Sequence, residues 1–170
     1  MAAACANLGL CYYSTGDYGR ARELHEQARA IFEALGDRAG VKETCGNLGN
    51  CYIRTGDYGR ARELYEQQRA ICEALGDRAG VARACGNLGD CCLNSGDYGR
   101  AISYFTHQYD MAKQMQVEKR QADAALGMGV ALRLEVRANV RGRAAGASEL
   151  PGPPVSASAC SDDGARQAQK

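Results

Sequence analysis

The sequence predicts an all-α solenoid, a stack of antiparallel helix pairs, on three observations. The string Cys5-Ala-Asn-Leu-Gly-Leu-Cys-Tyr12 returns as Cys45-Gly-Asn-Leu-Gly-Asn-Cys-Tyr52 and again as Cys85-Gly-Asn-Leu-Gly-Asp-Cys-Cys92, a period of 40 residues. Gly-Asp pairs at 16–17, 36–37, 56–57, 76–77 and 96–97 divide the copies into halves. Between these marks apolar residues recur every three or four positions, and no proline precedes Pro151. Each half-copy therefore reads as one amphipathic helix.

The copies start near residues 1, 41 and 81. Met1 corresponds to Val41, so the first helix of the first copy begins without the Gly-Asp cap that precedes the others. A frayed first helix is expected there, as in a fragment of a longer array. In the second copy Val41, Cys45, Leu48, Gly49 and Tyr52 lie on one face of a helix over 41–54. Gly56 supplies a left-handed stop and Asp57 an N-cap for the next helix. That second helix carries Ala61, Leu64, Tyr65, Gln68, Ile71, Cys72 and Leu75 as its packing stripe. Its outer face pairs Arg62 with Glu66 and Arg69 with Glu73 at i,i+4. The third copy repeats the first helix and drifts in the second. Residues 117–137 read as a closing helix, with Gly127-Met128-Gly129 in place of Asn-Leu-Gly, able to cover the last apolar face of the stack. Repeats are thus expected over 1–140. The Gly/Ala/Ser/Pro-rich stretch 141–170 is expected to be a disordered tail, too poor in apolar surface to offset its ordering entropy.

Cys45, Leu48, Gly49, Tyr52, Ala61 and Tyr65 match the spacing of the tetratricopeptide signature, which the sequence resembles with cysteine in place of tryptophan and Glu73 in place of the closing proline. The same positions are Cys5, Leu8, Gly9, Tyr12, Ala21 and His25 in the first copy. In the third they are Cys85, Leu88, Gly89, Cys92, Ala101 and Phe105. The longer period and the string Gly46-Asn-Leu-Gly-Asn50 are similar to the repeats of the LGN/Pins polarity adaptors and, less closely, of kinesin light chains. The resemblance covers about 1–135. It implies a right-handed superhelix that serves as a protein–protein interaction scaffold or adaptor, with extended partners held by asparagines and arginines. No GoLoco-like motif follows the repeats.

In such a stack the first helix of each pair lines a concave surface. The face left free by packing carries Glu43, Asn47, Asn50 and Arg54 in the second copy and Arg83, Asn87, Asp90 and Asn94 in the third. Asn7, Asn47 and Asn87 form a ladder, one rung per copy. A carboxamide both donates and accepts, so the ladder suits the main chain of an extended peptide. Arg54 and Arg83 suit the carboxylates of a partly acidic one. The plain alternative is that the asparagines bond between neighbouring first helices and stiffen the stack. A chaperone-type carboxylate clamp is disfavoured, because Ala6 and Gly46 stand where it needs a basic residue.

Other classes of function find little support. Lys and Arg number 21 against 20 Asp and Glu, which leaves no field for nucleic acid. No run is long enough to span a membrane. No enzyme is expected: the two histidines, His25 and His107, fall on second helices, and the spacing brings neither to a particular cysteine. The nine cysteines follow the repeat as packing residues, and no Cys-x-x-Cys occurs. Cys5 and Cys11 stand about 240° apart around a helix and so do not ligate one ion from the same face; cysteine-mediated metal binding is the less favoured alternative, no metal ligands are assigned, and no cofactor is expected. Reduced thiols and the lack of a signal sequence point to the cytoplasm. Self-association through the uncapped first copy is the alternative function.

Overall fold

The computed structural model describes residues 1–116 and 118–147. Among them are seven helices and no strand: α1 (Ala2–Ser14), α2 (Tyr18–Ala34), α3 (Arg38–Thr55), α4 (Tyr58–Ala74), α5 (Arg78–Ser95), α6 (Tyr98–Gln114) and α7 (Glu118–Ala147). Each helix packs on the next, and α5 also touches α7 as α1 touches α3. The odd-numbered helices therefore lie side by side along one face, as an all-α solenoid of helix pairs requires.

The Gly-Asp punctuation sets the boundaries. The side chains of Asp17, Asp37, Asp57, Asp77 and Asp97 accept from the backbone N–H three residues on, each such cap being worth about 1 kcal/mol. Gly56 and Gly96 end α3 and α5 at φ 82° and 83°, where a side chain would be strained. The pattern lapses once. Gln116 takes the place of Gly36 and Gly76 and adopts φ 57°, and Val117 stands where Asp37 and Asp77 provide caps.

The core runs between odd and even helices. Cys45, Leu48, Tyr52, Ala61, Leu64 and Tyr65 bury together, joined by Leu88 and Cys91 from the following copy. Equivalent leucines show what stacking contributes: Leu8 is 48% exposed, Leu48 2% and Leu88 0%. An even-numbered helix precedes α3 and α5, whereas α1 is covered from one side only. The stripe of α4 ends sooner than the periodicity suggests, because Leu75 is the exposed C-cap. On the outer faces Arg29–Glu33 and Arg69–Glu73 pair at 2.7 and 3.4 Å, and the expected Arg62–Glu66 pair does not close among the described residues. A longer tie, Lys42 Nζ to Asp77 Oδ2 at 2.9 Å, fastens α3 to the cap of α5.

The closing helix departs from expectation. It continues to Ala147, past the boundaries drawn at 137 and 140. The stretch 138–147 contains four alanines, two arginines and no proline, and its two glycines weaken a helix without breaking it, so its composition change is not a structural stop. The remainder of the expected tail, 148–170, lies outside the described residues.

Candidate functional site: the groove of odd helices

Two adjoining hollows lie along the odd-helix face. One, of about 340 Å³, is lined by Glu43, Gly46, Asn47, Asn50, Gln68, Arg83 and Asn87, with Leu10 at its edge. The other, of about 490 Å³, sits between α5, α6 and α7; Arg83, Asn87, Asp90 and Gln108 line it with Arg120, Asp123 and apolar neighbours. Arg83 and Asn87 belong to both, so the two hollows form one groove. Of the residues expected from sequence, Asn47, Asn50, Arg83, Asn87 and Asp90 converge here.

Three others do not line it. Asn7 is exposed on α1. Asn94 turns back and donates to the Asp90 carbonyl at 2.8 Å. The Arg54 guanidinium lies over the Tyr18 ring, 5.3 Å from its centroid, with Nε donating to the Tyr18 hydroxyl at 3.0 Å.

Hydrogen bonding divides the remaining asparagines. The Tyr65 hydroxyl donates to Asn50 Oδ1 at 2.7 Å, which fixes that carboxamide and leaves its Nδ2 to donate into the groove. Phe105 takes the place of Tyr65 in the third copy, so Asp90 receives no such bond. Among the described residues the side chains of Asn47 and Asn87 make no hydrogen bond, to each other or to the stack.

The floor contains Gln68, which the periodicity assigned to packing alone, and Gln108, its counterpart on the drifting helix of the third copy. Gln68 is 3% exposed and Gln108 9%, and each leans into the space left by a glycine of the facing helix. A Cβ on Gly46 would collide with Gln68 Nε2, and one on Gly86 would lie 2.6 Å from Gln108 Nε2. In the first copy the same two positions are Ala6 and Ala28. This exchange of Ala/Ala for Gly/Gln is the signal in the sequence that marks the floor. Gln68 Nε2 donates to the Lys42 carbonyl at 3.3 Å, while its Oε1 is buried without a partner. An unpaired buried acceptor is costly, about 1–3 kcal/mol.

The charges of the groove are mixed. Arg120 donates to the Ala79 carbonyl at 2.6 Å and is not ion-paired with Asp90 among the described residues. Asp90 stands in an open part of the groove, yet the cavity walls strip enough water from its carboxyl to raise its pKa, and the Asp123 carboxylate raises it further.

One expectation about the cysteines is corrected. Cys85 Sγ does meet a histidine, lying 3.5 Å from His107 Nδ1. The 22-residue step from an odd helix to the next even one produces this contact, as it brings Cys45 Sγ to Gln67 Oε1 at 3.9 Å. A nucleophilic pair needs an accessible thiolate, whereas Cys85 is fully buried and burial raises its pKa. Burial likewise pushes Cys51 and Cys91 up to about 11. Among the described residues no group of three or more His, Cys, Asp or Glu side chains converges, and no helix is long and apolar enough to cross a membrane.

Comparison with known proteins agrees with this architecture. The TPR domain of Arabidopsis FLU is 19% identical with a TM-score of 0.63, covering 66% of this chain and 95% of that one. BtubC (BKLC) from P. vanneervenii is 22% identical with a TM-score of 0.66, over 96% and 71%. The Sgt2 TPR domain from Aspergillus fumigatus is 18% identical with a TM-score of 0.62, over 94% and 91%. At such identities the likeness speaks for the fold. No curated protein sequence matches the chain. The tetratricopeptide repeat profile matches residues 1–74 and 43–114; with the helix pairs and their Leu-Gly signature in place, the chain belongs to the tetratricopeptide repeat family.

Proposed function

We propose that the chain is an adaptor that holds an extended segment of a partner protein in the groove of odd helices. Asn47 and Asn87 would grip the main chain of the segment and Arg83 an acidic group on it. The observation that carries this reading is the free hydrogen-bonding capacity of the ladder. Two carboxamides with no partner in the stack stand above a floor whose Gln68 Oε1 is also unpaired. Stiffening asparagines would be expected to bond between helices, and these form no such bond among the described residues. The repeats are read further as the long LGN/Pins and kinesin-light-chain kind, on helices of 17 and 18 residues in the second copy, and the setting as cytoplasmic, on the unbridged buried thiols.

The test is binding of peptides selected on the chain, compared between it and Asn47→Ala/Asn87→Ala. Loss of two main-chain contacts, each worth about 1 kcal/mol net, should weaken binding by tenfold or more with helicity unchanged. Unchanged affinity would move the functional surface elsewhere. A second reading, self-association through α1, draws on the exposure of Leu8 and Leu10. It requires a sedimentation coefficient that rises with concentration and falls back in Leu8→Gln.

A further inference from the structure

The hollow between α5, α6 and α7 differs in chemistry from its neighbour. Its wall is apolar, with Leu93, Leu126 and Val130, and two carboxylates, Asp90 and Asp123, enter it from adjacent odd helices. Beside burial, the Asp123 carboxylate raises the Asp90 pKa. Arg120 is turned to the Ala79 carbonyl, and neither Asp90 nor Asp123 forms an ion pair among the described residues. Arg83 also lines the hollow and is not ion-paired with either carboxylate among the described residues; like charges that face one hollow without a paired counter-ion favour a cation between them. A second observation points the same way. Gln108, nine-tenths buried, lines this hollow and makes no hydrogen bond among the described residues, so an uncommitted carboxamide adds an acceptor to the two carboxylates. The neighbouring hollow has the contrary arrangement, with Asn50 bonded to Tyr65 where Asp90 stands beside Phe105.

We propose that this hollow receives a lysine or arginine side chain of the partner segment, its aliphatic stem against Leu93, Leu126 and Val130 and its charged end between Asp90 and Asp123. A long basic side chain has the required form, an apolar stem that ends in a cation. The proposal rests on the groove reading above and gives it polarity: an acidic group of the segment lies by Arg83 and a basic one by the aspartates. It makes the preferred ligand a mixed-charge sequence rather than a simply acidic one.

The experiment is selection of a random peptide library displayed on phage over the full chain, followed by affinities of the enriched peptides. Lysine or arginine should be enriched at one fixed position. Its replacement by methionine should weaken binding to the unaltered chain by about tenfold or more, the scale of a charge-assisted hydrogen bond. Asp90→Asn/Asp123→Asn should remove the preference, binding lysine and methionine peptides alike. Asp90→Asn places in the third copy what Asn50 is in the second, so the stack should hold, as circular dichroism will verify. Enriched peptides without a preferred basic residue, or a lysine preference that survives both substitutions, overturn the proposal. If those peptides still lose affinity in Asn47→Ala/Asn87→Ala, the groove reading stands without it. A library that yields no binder removes both.

Discussion

His25 occupies the position of Tyr65 and Phe105, and substitution His25→Phe tests what the exchange does to the stack. The imidazole is 1% exposed, lies against Gly9, and leaves its Nδ1 buried without a partner. Burial lowers its pKa below the ordinary 6.5. The unfolded chain therefore takes up the proton first, and stability must rise with pH across the interval between the folded and unfolded values. The contribution of His25 is complete above about pH 6.5 and is lost as pH falls toward the folded-state value, at no more than about 1.4 kcal/mol per pH unit. Phenylalanine fills the same space, as Phe105 does, and removes a buried nitrogen that lacks a hydrogen-bond partner, worth about 1–3 kcal/mol. His25→Phe should thus stabilise α1 and α2 by about 1–2 kcal/mol at pH 7.5, and by more at pH 5.5. Urea denaturation followed by circular dichroism at the two pH values measures both. Equal stability of the two proteins at pH 7.5, or an unchanged loss on acidification in His25→Phe, would refute the argument that the buried imidazole is an uncompensated base.

Other substitutions follow from the repeat itself. Gly46→Ala should destabilise by about 1–2 kcal/mol through its clash with Gln68, and adding Gln68→Ala, which recreates the Ala6/Ala28 pair, should restore most of it; additive losses in the urea midpoints would contradict the pairing. Gln116→Gly should stabilise the α6–α7 junction by about 0.5–1 kcal/mol, since only Gln116 among the described non-glycine residues has positive φ; a loss of thermal stability would argue against strain there. Lys42→Met should cost less than about 1 kcal/mol, because Asp77 is part-exposed. The Lys42 hydrogen bond, then the Gly80 N–H, hold the Asp77 carboxyl below its ordinary range. This stabilisation is present above about pH 3.9 and is lost as pH falls through the folded value. Acid titration of Lys42→Met should be correspondingly flatter, and an unaltered curve would deny the tie.

The helix boundaries were legible because their causes are local. An aspartate three residues before a backbone N–H and a glycine at positive φ act within one turn, so Asp57 and Gly56 could be read without knowledge of the rest. Asn47 and Asn87 were legible as groove residues because the packing stripe of α3 and α5 fixes their face. Gln68 was placed correctly on its own stripe and yet misjudged, since periodicity tells which way a residue faces and not what lies opposite. Only the comparison of Ala28 with Gln68, and of Ala6 with Gly46, reveals a side chain admitted by its neighbour. The contact of Cys85 with His107 depends on the register between two helices, which no single helix encodes. The end of α7 was missed for the opposite reason: residues 141–147 were grouped with the Gly/Ala/Ser/Pro-rich stretch for its lack of apolar surface, although nothing before Pro151 forbids a helix.

The distribution of thiols has a consequence for how such a stack comes apart. Cys45, Cys51, Cys85 and Cys91 are buried, while Cys11 is exposed. Alkylation of a buried thiol must wait until its own part of the solenoid opens, because the sulfur is both unreachable and protonated in place. Each central copy therefore carries an internal clock for its local opening, and the order in which masses are added along the chain records the order in which the stack unravels. A solenoid that peels from α1 would label Cys45 and Cys51 before Cys85 and Cys91. One that opens cooperatively would label all four together.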